Sequence, residues 1–122
     1  MFNFEKLEIW QKAIDFAGDI SVATNTFPSD ERFGLTNQMR RAAVSISSNG
    51  AEGSSRNSRI DYARFVEIAT GSLFEIISQC FLAKRQGFLA DRDFQRLYEQ
   101  AQTQSRMLSG LRSYLVGERA AH

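Results

Sequence analysis

Cysteine, proline and histidine are each nearly absent: Cys80, Pro28 and His122 stand alone in 122 residues. A lone cysteine excludes an intramolecular disulfide and fits a reducing compartment. Cys80 falls on the apolar side of a helical stretch, where a buried, inert thiol is expected. A lone proline permits long uninterrupted helices, because proline removes a backbone donor and clashes with the preceding turn. A lone histidine at the last position removes most catalytic constellations. A di-metal centre in a helical bundle needs inward carboxylates together with Glu-x-x-His motifs, and Glu52, Glu67 and Glu75 have no histidine beside them. No serine has a histidine to activate it, and no glycine-rich loop leads into Lys-Ser/Thr. The residues therefore offer no catalytic set, no cofactor site and no metal site. No apolar run approaches the ~20 residues that span a bilayer. The N-terminal MFNFEKLEIWQK also lacks the basic-then-apolar order of a secretory signal. A cytoplasmic chain without membrane contact is the expectation.

Excess charge of one sign is missing too. The net charge is +1, too small for a protein dominated by non-specific phosphate binding. The distribution is uneven, however. Residues 1–31 carry two lysines against six acids, whereas 32–64 carry six arginines against Glu52 and Asp61. Such a basic middle segment is either a partner surface or a set of arginines paired with the acidic first helix.

What is present is helical periodicity. Hydrophobic residues make up 43% and charged residues 24%, an ordinary globular balance for one domain. Four apolar stripes recur at steps of three and four, the period of a helix face. The first runs from Glu5 or Leu7 to Thr24 and has two seams. One is Leu7, Trp10, Ile14 and Ala17; the other is Ile9, Ala13, Phe16, Ile20 and Ala23. Phe27-Pro28-Ser29-Asp30 ends it. The second helix spans Glu31 or Phe33 to Gly53, with Leu35, Met39, Ala42, Ile46 and Gly50 apolar and Gln38, Arg41, Ser45, Asn49 and Glu52 as a polar stripe beside them. Ser58 followed by Asp61 resembles a capping box opening the third helix, Arg59 to Gln86. Its seam is Tyr62, Val66, Ala69, Leu73, Ile76, Cys80 and Ala83, and Gly87-Phe88 makes the stop. The fourth, Asp91 to Val116, buries Phe94, Leu97, Ala101, Gln104, Leu108, Leu111 and Leu115. Short connections demand antiparallel neighbours, so the fold expected is an all-α, up-down-up-down four-helix bundle over residues 1–116, with 117–122 a frayed tail.

Three sets of side chains are candidates for function. If helices 2 and 3 turn near Arg56-Asn57, Gln38 faces Glu75, Arg41 faces Ser72, and Asn49 faces Arg64 with Glu67 one turn away. The expected polar network is Gln38, Arg41, Asn49, Glu52, Glu67, Ser72 and Glu75, built around an Arg41–Glu75 ion pair that fixes register. Arg40, Arg56, Arg59 and Arg64 are expected to line one end of the bundle, where they offer phosphate contacts to RNA. Phe65, Phe74 and Phe81 exceed what one seam requires. Surplus apolar surface of this kind marks a subunit interface.

The combination of Trp10 to Ala13, Phe27-Pro28, Phe33-Gly34-Leu35 and Gln38-Met39-Arg40-Arg41-Ala42 is distinctive. With Ser48-Asn49, Ala51-Glu52-Gly53 and Gly71-Ser72-Leu73, it resembles the four-helix-bundle proteins encoded in intervening sequences of bacterial large-subunit ribosomal RNA genes. A related branch serves as the accessory protein of diversity-generating retroelements. The resemblance implies a ring-shaped homo-oligomer, typically a pentamer, linked to RNA or to a nucleic-acid-processing protein, and it implies no reaction. Gly50 departs from the pattern, standing where a larger apolar residue is usual. The near-neutral charge departs from the strongly basic retroelement branch.

Overall fold

The computed structural model describes residues 1–117; most of the expected C-terminal tail lies outside that range. Its four helices are α1 (Glu8–Thr24), α2 (Leu35–Ser54), α3 (Arg59–Arg85) and α4 (Asp91–Val116). Short 3-10 turns precede α1, at Asn3–Lys6, and α2, at Ser29–Glu31. Among the described residues there is no strand. Each helix packs against its chain neighbours, and α4 returns to α1. The cross-section is therefore a square, with α1 opposite α3 and α2 opposite α4. The α1–α2 and α3–α4 flanks lie on opposite sides.

The helix ends obey local chemistry. Ser58 accepts a hydrogen bond from the Asp61 amide at 3.2 Å, the N-cap contact expected at α3. At its other end Gly87 takes φ +78°, a left-handed conformation that glycine adopts without a Cβ clash. The Phe88 amide then bonds the Ala83 carbonyl at 2.9 Å and the Gly87 amide that of Lys84 at 3.0 Å, a Schellman stop. Phe88 folds back against Phe27, ring centroids 5.8 Å apart, tying the two connections at that end together.

The core is the one the periodicity indicates. Of the two α1 seams, Ala13, Phe16, Ile20 and Ala23 are buried, whereas Ile14 is exposed and Trp10 sits at the edge. Leu73, Ile76 and Ala83 of α3 are fully buried, as are Met39 and Ile46 of α2. Gln104 sits among them at 2% exposure and donates to the Ile9 carbonyl at 3.2 Å. Burial pushes the Cys80 thiol up to about 12, which keeps it protonated and unreactive at neutral pH.

Two features differ from the sequence reading. At Gly50 the helix contact is loose, with nothing within 4 Å of an added Cβ, and the close approach between α2 and α3, which the sequence did not locate, is elsewhere. It lies one turn on, at Gly53, where a Cβ would stand 2.8 Å from the Phe65 Cβ and 2.9 Å from the Tyr62 ring. The second difference concerns α3. By length and composition this helix is apolar enough to cross a membrane, correcting the expectation that no stretch approaches that limit. Its most apolar 18-residue window has a mean hydropathy of 1.4, yet only 33% of that window is buried within the chain. Core helices of bundles meet the same test, but a core helix is normally covered.

Candidate functional site

The seam between α2 and α3 carries the polar stripe, one turn out of the expected register. Ser72 meets Ser45, Oγ to Oγ at 2.9 Å, where Arg41 was expected. The amide of Gln79 meets Gln38 Oε1 at 3.4 Å, where Glu75 was expected. The slide is about four residues, one helical turn. Gly53 explains it: the missing side chain seats Tyr62 and Phe65 of α3 over the last turn of α2.

Four of the seven predicted network residues fall in this seam. Asn49 donates to the Ser45 carbonyl at 2.8 Å and to its hydroxyl at 3.0 Å, which links it to Ser72. Gln38 and Glu75 are joined through Gln79, whose amide nitrogen lies 3.4 Å from each. The other three do not join. Arg41 is exposed and forms no ion pair with Glu75, although both border the same shallow groove. The one-turn slide has removed the geometry that the pair required. Glu52 pairs with Arg56 at 3.4 Å on its own helix edge. Glu67 reaches the other way, to Arg112 of α4 at 3.8 Å. Gln79 and Ser45 are the residues that the sequence reading left out of the network. Gln79 sits next to Cys80 at the margin of the α3 seam and is 9% exposed, a burial that no sequence signal marked.

The predicted arginine set also divides. Arg56, Arg59 and Arg64 do lie at the α2–α3 end, but each guanidinium has a partner in the chain. Arg56 stacks on the Phe65 ring at 4.7 Å besides pairing with Glu52. Arg59 covers the Tyr114 ring at 4.5 Å and donates to the Tyr114 carbonyl at 3.0 Å, at the C-terminal end of α4. Arg64 pairs with Asp61 at 3.8 Å. Arg40 is at the opposite end. It donates to Thr24 Oγ1 at 2.9 Å, to the Ser21 carbonyl at 3.2 Å and to Asn25 Oδ1 at 2.8 Å. Arg40 and Arg59 thus do the same work on two helices, bringing a cation to orphan carbonyls and the negative end of the dipole.

The third set concerns apolar surface. Phe65 is half-buried beneath Arg56 and against Gly53, so its packing is internal. Phe74 and Phe81 are 60% and 49% exposed, and Ile68 and Leu82 are exposed on the same helix. Phe81 leans on α4, its ring edge-on to Phe94 at 4.9 Å, and Tyr98 continues the patch. Between α3 and α4 the patch forms an open groove of about 370 Å³, with Phe74, Phe81 and Tyr98 as walls and Ile77 and Ala101 as floor. Among the described residues no three side chains are grouped to hold a metal ion.

A family model, that of the 23S rRNA-intervening sequence protein, matches residues 5–110. The chain belongs to the 23S rRNA-intervening sequence protein family. No curated protein sequence matches it. A crystal structure of a protein of unknown function from the S23 ribosomal protein family of Bacteroides thetaiotaomicron is similar, with a TM-score of 0.77 at 19% identity. The likeness covers 84% of this chain and 96% of that one, and at this identity it speaks for the fold alone. The 23S rRNA-intervening sequence protein family model reaches from the first turn before α1 nearly to the end of α4. All three sets of side chains except Arg112 and Tyr114, the α4 partners of Glu67 and Arg59, lie inside it. Neither the family nor the neighbouring structure is described as an enzyme.

Proposed function

We propose that the chain is a non-catalytic, cytoplasmic interaction module that works as a homo-oligomer, with five subunits in a ring the number its family resemblance implies. The observation that carries this reading is the uncovered apolar face of α3. Ile68, Phe74, Phe81 and Leu82 each expose about half of their surface or more. Covering such halves is worth on the order of 1 kcal/mol per side chain. One copy of the face therefore returns roughly 4 kcal/mol, the low end of what association costs in lost rigid-body freedom. A durable assembly then needs more than one contact per subunit, as a closed ring supplies. A partner protein docked on that ring, including one that processes nucleic acid, is compatible with this reading.

Substituting Phe74 by aspartate tests it. Phe74 faces away from the core, so Phe74→Asp is expected to keep its helical circular dichroism while its mass by light scattering falls to that of one chain. An unchanged assembly would remove α3 from the interface.

RNA contact through Arg56, Arg59 and Arg64 is the second reading. In its favour is their grouping at one end with exposed side chains; against it is the engagement of each with a partner in the chain. A labelled structured RNA should bind with a steep salt dependence if the reading holds, and Arg56→Glu with Arg59→Glu should abolish binding without changing the mass. No anisotropy change with wild-type chain at low salt would end this reading.

A further inference from the structure

We propose that copies of the chain join head to tail, the Phe33 turn of one inserting into the α3–α4 groove of the next. The inference rests on the self-assembly reading above and names the two surfaces that meet. Among the described residues Phe33 is the most exposed large hydrophobic side chain beyond the first residue, at 84%. It does not hang on a loose loop. The Ser29–Glu31 turn holds it from one side, where the Arg32 amide bonds the Ser29 carbonyl at 3.1 Å. On the other side the Gly34 amide bonds the Glu31 carbonyl at 3.0 Å, and α2 begins at once. The Arg32 guanidinium lies 5.1 Å from the ring centroid, covering one face and leaving the rest open. An aromatic ring presented on a hydrogen-bonded turn loses little freedom on docking, the property of an interface anchor.

The complementary cavity lies on the other flank. The groove between α3 and α4 is walled by three aromatic rings and floored by Ile77 and Ala101, an apolar slot to which a phenyl ring can present its edge. Its mouth carries Arg106, whose guanidinium, among the described residues, bonds the Thr103 hydroxyl alone, at 3.3 Å. The Phe33 turn carries Asp30 and Glu31 against Arg32, a net negative charge, and among the described residues the exposed Asp30 has no ion pair. Knob and groove thus bring unmatched charges of opposite sign to the same contact.

Position argues for a second copy as the occupant. The α1–α2 and α3–α4 flanks are opposite sides of the square, so one chain cannot seat its own Phe33. A knob on one flank and a slot on the other form a heterologous contact, which propagates from copy to copy until it closes. Gln38 is level with Gln79, and Phe33 lies five residues before Gln38. It therefore stands roughly 10 Å along the bundle from Ile77 at 1.5 Å per residue. Successive bundles must lean to meet, which makes the closed form a barrel of tilted subunits.

Complementation tests the pairing. Phe33→Asp keeps the groove and loses the knob; Phe74→Asp keeps the knob and spoils the groove. Both positions are exposed, so each variant should match wild-type helicity and unfold cooperatively. Alone, each should run as a monomer. Mixed in equal amounts at high concentration, they should form a one-to-one dimer that grows no further, because only one knob and one slot remain intact. A monomeric wild type would overturn the assembly reading itself. A wild-type oligomer that survives Phe33→Asp would overturn the knob while leaving α3 as the interface.

Discussion

Adding one methyl group at Gly53 is expected to destabilise the fold by about 1–3 kcal/mol, whereas the same change at Gly50, one turn earlier, should stabilise it by up to about 1 kcal/mol. The two glycines occupy the same helix and differ only in what lies opposite. At Gly53 the new Cβ would stand 2.8 Å from the Phe65 Cβ, an atom fixed to the α3 backbone, so relief requires moving a helix and not a rotamer. The Tyr62 ring at 2.9 Å closes the other direction of escape. At Gly50 nothing stands within 4 Å, and alanine gains the helix propensity that glycine lacks. Urea unfolding of Gly53→Ala and Gly50→Ala should therefore move the midpoint in opposite directions. Equal shifts would show that the α2–α3 approach does not set the register.

Neighbouring residues on α3 should separate folding from assembly. Leu73→Ala removes a side chain with 0% exposure, at a cost of about 2–5 kcal/mol for the lost burial and the cavity left behind. Phe74→Ala, one residue along and about 100° round the helix, removes a ring that is 60% exposed. Unfolding followed at two protein concentrations distinguishes the two effects, because an assembly that dissociates on unfolding gains stability with concentration. Leu73→Ala should lower the midpoint at both concentrations. Phe74→Ala should leave the dilute midpoint nearly unchanged and abolish the concentration dependence. A large loss for Phe74→Ala in the dilute sample would mean that the ring supports the fold of the single chain.

The fold was legible because each level of the sequence points the same way. Apolar steps of three and four define the four helices, Ser58 and Gly87 mark ends of α3, and short connections dictate antiparallel order. Register was not legible to better than a turn, because it depends on which small residue lets two backbones meet. Periodicity placed Gly50 and Gly53 on the same helix without saying which one Tyr62 and Phe65 would cover. Arg40 was grouped with Arg56 by charge although most of the length of α2 separates them, and its partners on α1 are contacts between distant parts of the chain. Gln79 escaped notice because a polar residue beside a buried seam has no periodic signature. Phe74 and Phe81 were legible as surplus to a single seam. Phe33 was not, since a phenylalanine before a helix start reads equally well as a residue packed against its first turn.

These points converge on assembly: the chain covers its core, brings arginines to the C-terminal ends of α1 and α4 and, among the described residues, leaves one helix face and one aromatic turn exposed. The most direct measurement is the mass of the wild-type chain in solution, by light scattering or sedimentation, over a range of micromolar concentrations. The account predicts a discrete species several times the 13.8 kDa of one chain, five times if the family resemblance holds. A single species at 13.8 kDa across the whole range would contradict it.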